Sequence, residues 1–269
     1  MNKKIGFIGC GKMASAIIGG VISSGYLTSQ NIIASEHSTE KAKEKESELG
    51  IKILTDNKEL VKSADVVFIA TTPNFVVDVL EEIKSEITQD ILLVSIAAGV
   101  TTQKIESIIG SDKRVVRVMP NTPALVLEGM SGVAGGSSAI PDDVDFVVEL
   151  LSNIGKAIKV KENQMDIVTA ISGSGPAFYY KVINDIARAG EKLGMEYEKA
   201  LMLSIQTAIG SAKMLLNSDK SAEDLIASVA TKGGCTRVGV DYMEEVNTDD
   251  IFYKLIDKTA EKANQLGKG

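Results

Sequence analysis

Three features of the sequence predict an α/β chain, with a mostly parallel sheet up to residue 160 and an all-helical region from 161 to 269. Short runs rich in Val, Ile, Leu and Phe alternate with helical patterns over the first region. Strands alternating with helices at this spacing imply parallel pairing, with helices on both faces. The first run, Ile5-Gly6-Phe7-Ile8, passes directly into Gly9-Cys10-Gly11-Lys12-Met13-Ala14, a Gly-x-Gly-x-x-Ala turn that opens an apolar helical pattern. After residue 160 the strand signals stop.

The elements follow in order. The opening strand, turn and helix place backbone N–H groups and a positive dipole end at one spot. Gly9 permits the tight turn, Gly11 lets a pyrophosphate approach the backbone, and Ala14 keeps the helix close to the sheet. This combination predicts a Rossmann-type dinucleotide-binding region. Strands are expected at 31–35, 51–53, 65–70, 91–95 and 114–118. Helices are expected at 38–49 (with Ser38 as N-cap), 56–62, 75–85 and 102–109. Two further strands, 131–135 and 157–160, flank a helix at 142–153 and add to the sheet edge. Beyond them, helices are expected at 166–171, 175–193, 197–216, 222–229, 237–245 and 249–266. The stretches 175–193 and 197–216 are apolar over much of their circumference. A helical layer of about 110 residues has little depth to bury both, so a second copy of the chain is the expected cover.

Composition narrows the function classes. The chain has 269 residues, 44% hydrophobic and 24% charged, as in folded globular proteins. The net charge of −7 argues against nucleic acid as a partner. No apolar run reaches membrane-spanning length, and the basic start leads straight into a strand, so neither a membrane span nor a signal peptide is expected. Two cysteines, Cys10 and Cys235, fit a reducing, cytoplasmic setting. With one histidine beside them, a structural zinc site is not expected.

In such sheets, ligands bind beyond the carboxyl ends of the strands. After the second strand come Ser35, Glu36 and His37. Glu36 stands where an acidic residue holds an adenosine ribose hydroxyl, which suits NAD. Ser35 and His37 are donors that suit the 2′-phosphate of NADP. Thr71-Thr72-Pro73 follows the fourth strand, Ile96-Ala97-Ala98-Gly99 the fifth, and Met119-Pro120-Asn121-Thr122-Pro123 the sixth. These small residues and fixed turns leave room for a flat ring. In the helical region, Ser172-Gly173-Ser174-Gly175-Pro176 and Thr231-Lys232-Gly233-Gly234-Cys235-Thr236 each precede a helix. Such loops offer N–H groups to a carboxylate, and Thr236 adds a hydroxyl. Neither loop is flanked by a buried-looking lysine or a His–Asp pair of the kind that moves a proton from an alcohol. An iminium substrate lowers that demand, because it arrives already protonated.

Taken jointly, these motifs resemble the Δ1-pyrroline-5-carboxylate reductases over essentially the whole chain. The resemblance is carried by residues 5–14, Ser95-Ile96-Ala97-Ala98-Gly99-Val100, Met119-Pro120-Asn121-Thr122-Pro123-Ala124, Ser172-Gly173-Ser174-Gly175-Pro176-Ala177 and Ala212-Lys213-Met214-Leu215-Leu216. It implies hydride reduction of a cyclic imine to L-proline, a step of proline biosynthesis. It also implies NADPH as cofactor, with NADH the alternative. Gly9, Cys10, Gly11, Lys12 and Met13 would line the pyrophosphate. Ser35, Glu36, His37 and Asn57 would flank the adenosine side. Thr71, Thr72, Pro73, Ala97 and Ala98 would border the nicotinamide half. Glu162, Gly233, Gly234, Cys235 and Thr236 would hold the substrate, with the Thr236 hydroxyl near the ring nitrogen. The family implies a homodimer, with a pentamer of dimers as the larger assembly. Thr72 stands where the family usually has lysine, and Lys232 where it has proline. These departures leave open a six-membered cyclic imine as substrate, or a non-catalytic nucleotide-binding paralogue.

Overall fold

The computed structural model describes residues 3–267. Residues up to Ser174, together with those from Lys258 onward, form one compact unit, and Gly175–Asp257 form a second.

The first unit is built on eight strands: β1 (Ile5–Ile8), β2 (Ile32–Ser35), β3 (Lys52–Leu54), β4 (Val66–Ile69), β5 (Leu92–Ser95), β6 (Arg114–Met119), β7 (Gly129–Gly135) and β8 (Gly155–Lys159). Their order is β3-β2-β1-β4-β5-β6-β7-β8. All neighbours are parallel except β6 and β7. The helices between them are α1 (Lys12–Ser23), α2 (Thr39–Leu49), α3 (Asn57–Lys62), α4 (Pro73–Ile83), α5 (Thr102–Ile109) and α6 (Pro141–Leu151), followed by the single turn α7 (Met165–Val168).

Alternation along the strands divides the core into two clusters. Ile5 and Phe7 of β1, Val66 and Phe68 of β4, and Leu92 and Val94 of β5 join Ile17, Ile18 and Val21 of α1 and Phe146 and Val147 of α6. The intervening Ile8, Val67, Ile69 and Leu93 join Leu60 of α3, Leu80 and Ile83 of α4 and Ile105 of α5. Phe7 and Phe68 stack with ring centroids 4.6 Å apart. Each such fully buried side chain contributes about 1.5–3 kcal/mol. Both faces are therefore covered, which is why these strands read as continuous apolar runs.

The register makes the carboxyl ends level. Ile8 pairs with both Ser35 and Ile69, Ile69 with Ser95, and Ser95 with Arg117. Residues following β1, β2, β4, β5 and β6 thus share one edge. Helix starts divide into two kinds. Ser38 caps α2, Asp56 caps α3 and Thr101 caps α5, each accepting backbone N–H bonds. Gly11 at α1 and Thr72 at α4 supply no side-chain cap.

Several bounds shift by one or two residues, those of α4, β8 and the helix Cys235–Glu245 among them, and two further segments differ from expectation. β7 begins two residues earlier than the pattern suggests. The helix expected over 166–171 is instead α7 followed by a π turn, Thr169–Gly173, closed by Ser174 N–H donating to Thr169 O at 2.8 Å. The wider turn accompanies a docking contact: Asn121 Nδ2 donates to Ser172 O at 3.0 Å while Asn121 Oδ1 accepts from Met130 N at 2.8 Å.

The second unit contains α8 (Gly175–Lys192), α9 (Tyr197–Leu216), α10 (Ala222–Val229), α11 (Cys235–Glu245) and the start of α12 (Thr248–Gly267). Tyr197 of α9 donates its hydroxyl to Asn184 of α8 at 2.9 Å, and the Arg188 guanidinium lies over the Tyr197 ring. Few of its side chains are buried; Tyr179, Tyr180, Ile186, Met202 and Leu203 all stay exposed. No helix among the described residues is long and apolar enough to cross a membrane. The last turns of α12 return to the first unit, where Gly267 meets the backbone of Gly99 and Asn264 Nδ2 donates to Asp166 at 2.8 Å.

Candidate functional site

The sheet reverses its building direction between β1 and β4, and Gly9 sits at that point. Its φ is +92°, and a Cβ there would lie 3.0 Å from Ala70 O and 3.1 Å from Thr71 Cγ2. Only glycine fits both the left-handed backbone and the close approach. The Gly9 N–H donates to Ser35 O at 3.1 Å, tying the turn to β2. A Cβ on Gly11 would meet no protein atom within 4 Å, so packing does not explain that glycine. Gly11 and Lys12 are exposed and Met13 is half-buried. The start of α1 can therefore accept an anionic group on its backbone N–H donors. Cys10 is buried, which pushes its thiol pKa up. A thiol held protonated is a poor nucleophile.

Beside the turn lies a cleft of about 480 Å³ lined by residues that include Gly9, Ser35, Glu36, His37, Asn57 and Thr71. Six of the residues singled out from the sequence thus surround one space. Ser35 is buried and donates its hydroxyl proton to Asn57 Oδ1 at 2.7 Å. Asn57 Nδ2 donates in turn to Glu82 Oε2 at 2.8 Å. His37 lies outward with 84% of its side chain exposed, its Nδ1 2.6 Å from Glu36 Oε1. Thr71 Oγ1 is buried without a hydrogen-bond partner. A buried hydroxyl in this state is costly until a ligand or water meets it. Thr72 and Pro73 are exposed at the start of α4, Ala97 is buried, and Ala98 is half-buried after β5.

Glu162 lies in the same unit but does not line that cleft. Its Oε1 accepts from Arg117 Nη1 at 2.8 Å and from Thr102 N at 3.2 Å. The Arg117 side chain is 3% exposed and that of Glu162 29%, so the guanidinium is removed from water while the carboxylate keeps partial access. Glu162 Oε2 is buried and has no partner. This carboxylate joins β6 to the start of α5 and leaves one oxygen for another donor.

Gly233, Gly234, Cys235 and Thr236 fall in the second unit, at the start of α11. Gly233 adopts φ +78°, and Gly234 N–H donates to Thr231 O at 3.0 Å. Gly234 is the N-cap and supplies no side chain to the helix. Cys235 and Thr236 are exposed. Thr236 also borders an apolar cavity of about 360 Å³ with Met214, Leu215, Leu225, Ile226 and Val229. No cluster of metal-ligating residues occurs among the described residues.

Comparison with known proteins places the chain. Residues 162–266 match the family model described as pyrroline-5-carboxylate reductase dimerisation. Residues 4–99 match one described as NADP oxidoreductase coenzyme F420-dependent. A pyrroline-5-carboxylate reductase of Methanosarcina acetivorans is 40% identical over 267 residues, 99% of each chain. The chain belongs to the pyrroline-5-carboxylate reductase family. Among solved structures, the Coxiella burnetii pyrroline-5-carboxylate reductase superposes with a TM-score of 0.95 at 33% identity, covering 100% of both chains. The Plasmodium falciparum pyrroline carboxylate reductase, solved with NADP bound, gives 0.86 at 31% identity over 99% of this chain and 98% of that one.

Within this reductase-family fold, the structure adds residues that the motifs did not single out. Glu82 completes the Ser35–Asn57 chain, yet it reads as one more charge on a helix. Arg117 is the partner of Glu162. Its signal was present, since it sits in the otherwise apolar Val115-Val116-Arg117-Val118 run of a central strand. A charge in such a run is either paired or functional.

Proposed function

We propose that the chain reduces the C=N bond of Δ1-pyrroline-5-carboxylate to give L-proline, using NAD(P)H. The observation that carries this reading is likeness over the full chain to proteins named pyrroline-5-carboxylate reductase. The first unit fits a dinucleotide. It has an uncapped helix start at a strand-order reversal, an open face at Gly11 and an unpartnered Thr71 hydroxyl. Gly9, Cys10, Gly11, Lys12 and Met13 would hold the pyrophosphate, largely through backbone N–H groups. Ser35, Glu36, His37 and Asn57 would border the adenosine side, and Thr71, Thr72, Pro73, Ala97 and Ala98 the nicotinamide side.

The nicotinamide, when bound, supplies the hydride. The remaining tasks fall to the chain. Gly233, Gly234 and Cys235 would present backbone N–H groups at the start of α11 to the substrate carboxylate, while Thr236 would orient the ring nitrogen. Glu162 would support the substrate side through its free oxygen. A protonated imine needs no further proton before hydride arrives, so the task is register rather than acid catalysis.

The region 161–269 would serve dimerisation and substrate binding. The exposed apolar faces of α8 and α9 support cover by a second copy, with a pentamer of dimers as the larger assembly and the cytoplasm as the setting. Loss of absorbance at 340 nm, with the five-membered and six-membered cyclic imines in parallel, tests the activity. Tight cofactor binding without turnover on either imine would refute it. Light scattering tests the assembly.

A further inference from the structure

The cleft beside Gly9 is acidic. Glu36 and Glu82 both line it, and no lysine or arginine does. Ser35, Asn57 and His37, three of the donors lining it, are already engaged, while the hydroxyls of Thr55 and Thr71 also face it. Ser35 has one hydroxyl proton, and it goes to Asn57 Oδ1 at 2.7 Å; Asn57 Nδ2 is turned to Glu82 Oε2 at 2.8 Å. His37 is held outward by Glu36, through its Nδ1 at 2.6 Å and its backbone N–H at 3.1 Å. Both contacts fall on Glu36 Oε1, which leaves Oε2 to accept from a hydroxyl. Lys45, the lysine whose charge reaches Cys10 under the turn, is already paired with Glu48 Oε2 at 2.6 Å.

We infer that this cleft selects the dinucleotide with a free ribose 2′-hydroxyl, so that the enzyme prefers NADH to NADPH, with Glu36 as the principal determinant and Glu82 reinforcing it. The ribose hydroxyls donate to the Glu36 carboxylate, as an acidic residue after the second strand allows. A 2′-phosphate, doubly charged near neutral pH, instead meets two carboxylates and no lysine or arginine. This inference rests on the dinucleotide reading proposed above. It sets the chain apart from the Plasmodium falciparum relative solved with NADP bound.

Calorimetric titration of the full-length protein with NAD⁺ and with NADP⁺ tests it without turnover. NAD⁺ is expected to bind about ten-fold tighter or more, the scale of one hydrogen bond to a charged group. Glu36→Gln is expected to narrow that ratio about ten-fold, chiefly by strengthening NADP⁺, and Glu82→Gln to narrow it less. Thermal midpoints report whether each variant is folded. If Glu36→Gln does not fold, competition of 5′-AMP against 2′,5′-ADP on the unmodified protein reads the same discrimination. Equal or tighter NADP⁺ binding in the unmodified protein overturns the inference. An unchanged ratio in both folded variants overturns the assignment to these carboxylates. Binding of neither dinucleotide removes the dinucleotide reading itself, and the inference with it.

Discussion

Replacing Glu162 with Ala separates two roles for one carboxylate. Glu162 Oε1 is the acceptor for Arg117 Nη1 at 2.8 Å and Thr102 N at 3.2 Å, and the Arg117 side chain is only 3% exposed. Removing one member of such a pair leaves a buried guanidinium without its counter-charge, which costs about 3–5 kcal/mol. A further unpaired N–H at the start of α5 adds to the same loss. At a urea dependence of roughly 2–3 kcal/mol per M, the unfolding midpoint should fall by roughly 1–2.5 M. Circular dichroism against urea measures this directly. The paired variant Arg117→Met with Glu162→Leu removes both charges and should recover most of the lost midpoint, since apolar replacement of a buried ion pair is often neutral. A midpoint change below about 0.3 M in Glu162→Ala, alongside a raised KM, would refute the structural role and leave only contact with substrate.

Other perturbations test other parts of the molecule. Thr236→Ala should lower kcat/KM about ten-fold in steady-state assays, the scale of one hydrogen bond lost from a charged substrate; unchanged kinetics would remove Thr236 from the site. Gly9→Ala should abolish measurable dinucleotide binding by calorimetry, because its Cβ would crowd Ala70 O at a φ of +92°. Asn121→Ala strips partners from Ser172 O and Met130 N and should cost about 1–3 kcal/mol by chemical denaturation. Burial raises the Cys10 thiol, so its thiolate becomes available only at higher pH than for a free cysteine. At pH 8 in a thiol-reagent assay, Cys10 should stay unreacted in the native protein, leaving at most the exposed Cys235, and both should react in denaturant.

Much of the architecture could be read from local pattern. Gly9 and Gly11 between a strand and a helix announced the turn. The runs of β4 and β5 announced strands covered on both faces, because every residue in them meets one helix layer or the other. β8 was harder, since at the sheet edge Lys156, Ile158 and Lys159 are exposed and the apolar signal is thin. The antiparallel entry of β7 depends on pairing between distant segments, which no local pattern carries. The site shows the same division. Gly9, Ser35, Glu36, His37 and Thr71 were named from their places after strands, Asn57 from the family resemblance, and all six border one cleft. The use of the Ser35 proton was not legible, because it depends on Asn57 and Glu82 approaching from other parts of the chain. Arg117 was visible as a charge in an apolar run, but its partner lies 45 residues away.

The start of α1 has a consequence for anyone who would stabilise this protein. Gly11 occupies an N-cap position in extended geometry and contributes no side chain. Serine, aspartate or asparagine at such a position ordinarily stabilises a helix by about 0.5–2 kcal/mol. There is room for it, because a Cβ at Gly11 meets nothing within 4 Å. A capping side chain would occupy the same N–H groups that the proposed function gives to a phosphate. Gly11→Asp is therefore the substitution that a search for thermal resistance would select and a search for turnover would reject. On the proposed reading, the chain leaves its first helix unfinished for a dinucleotide to complete.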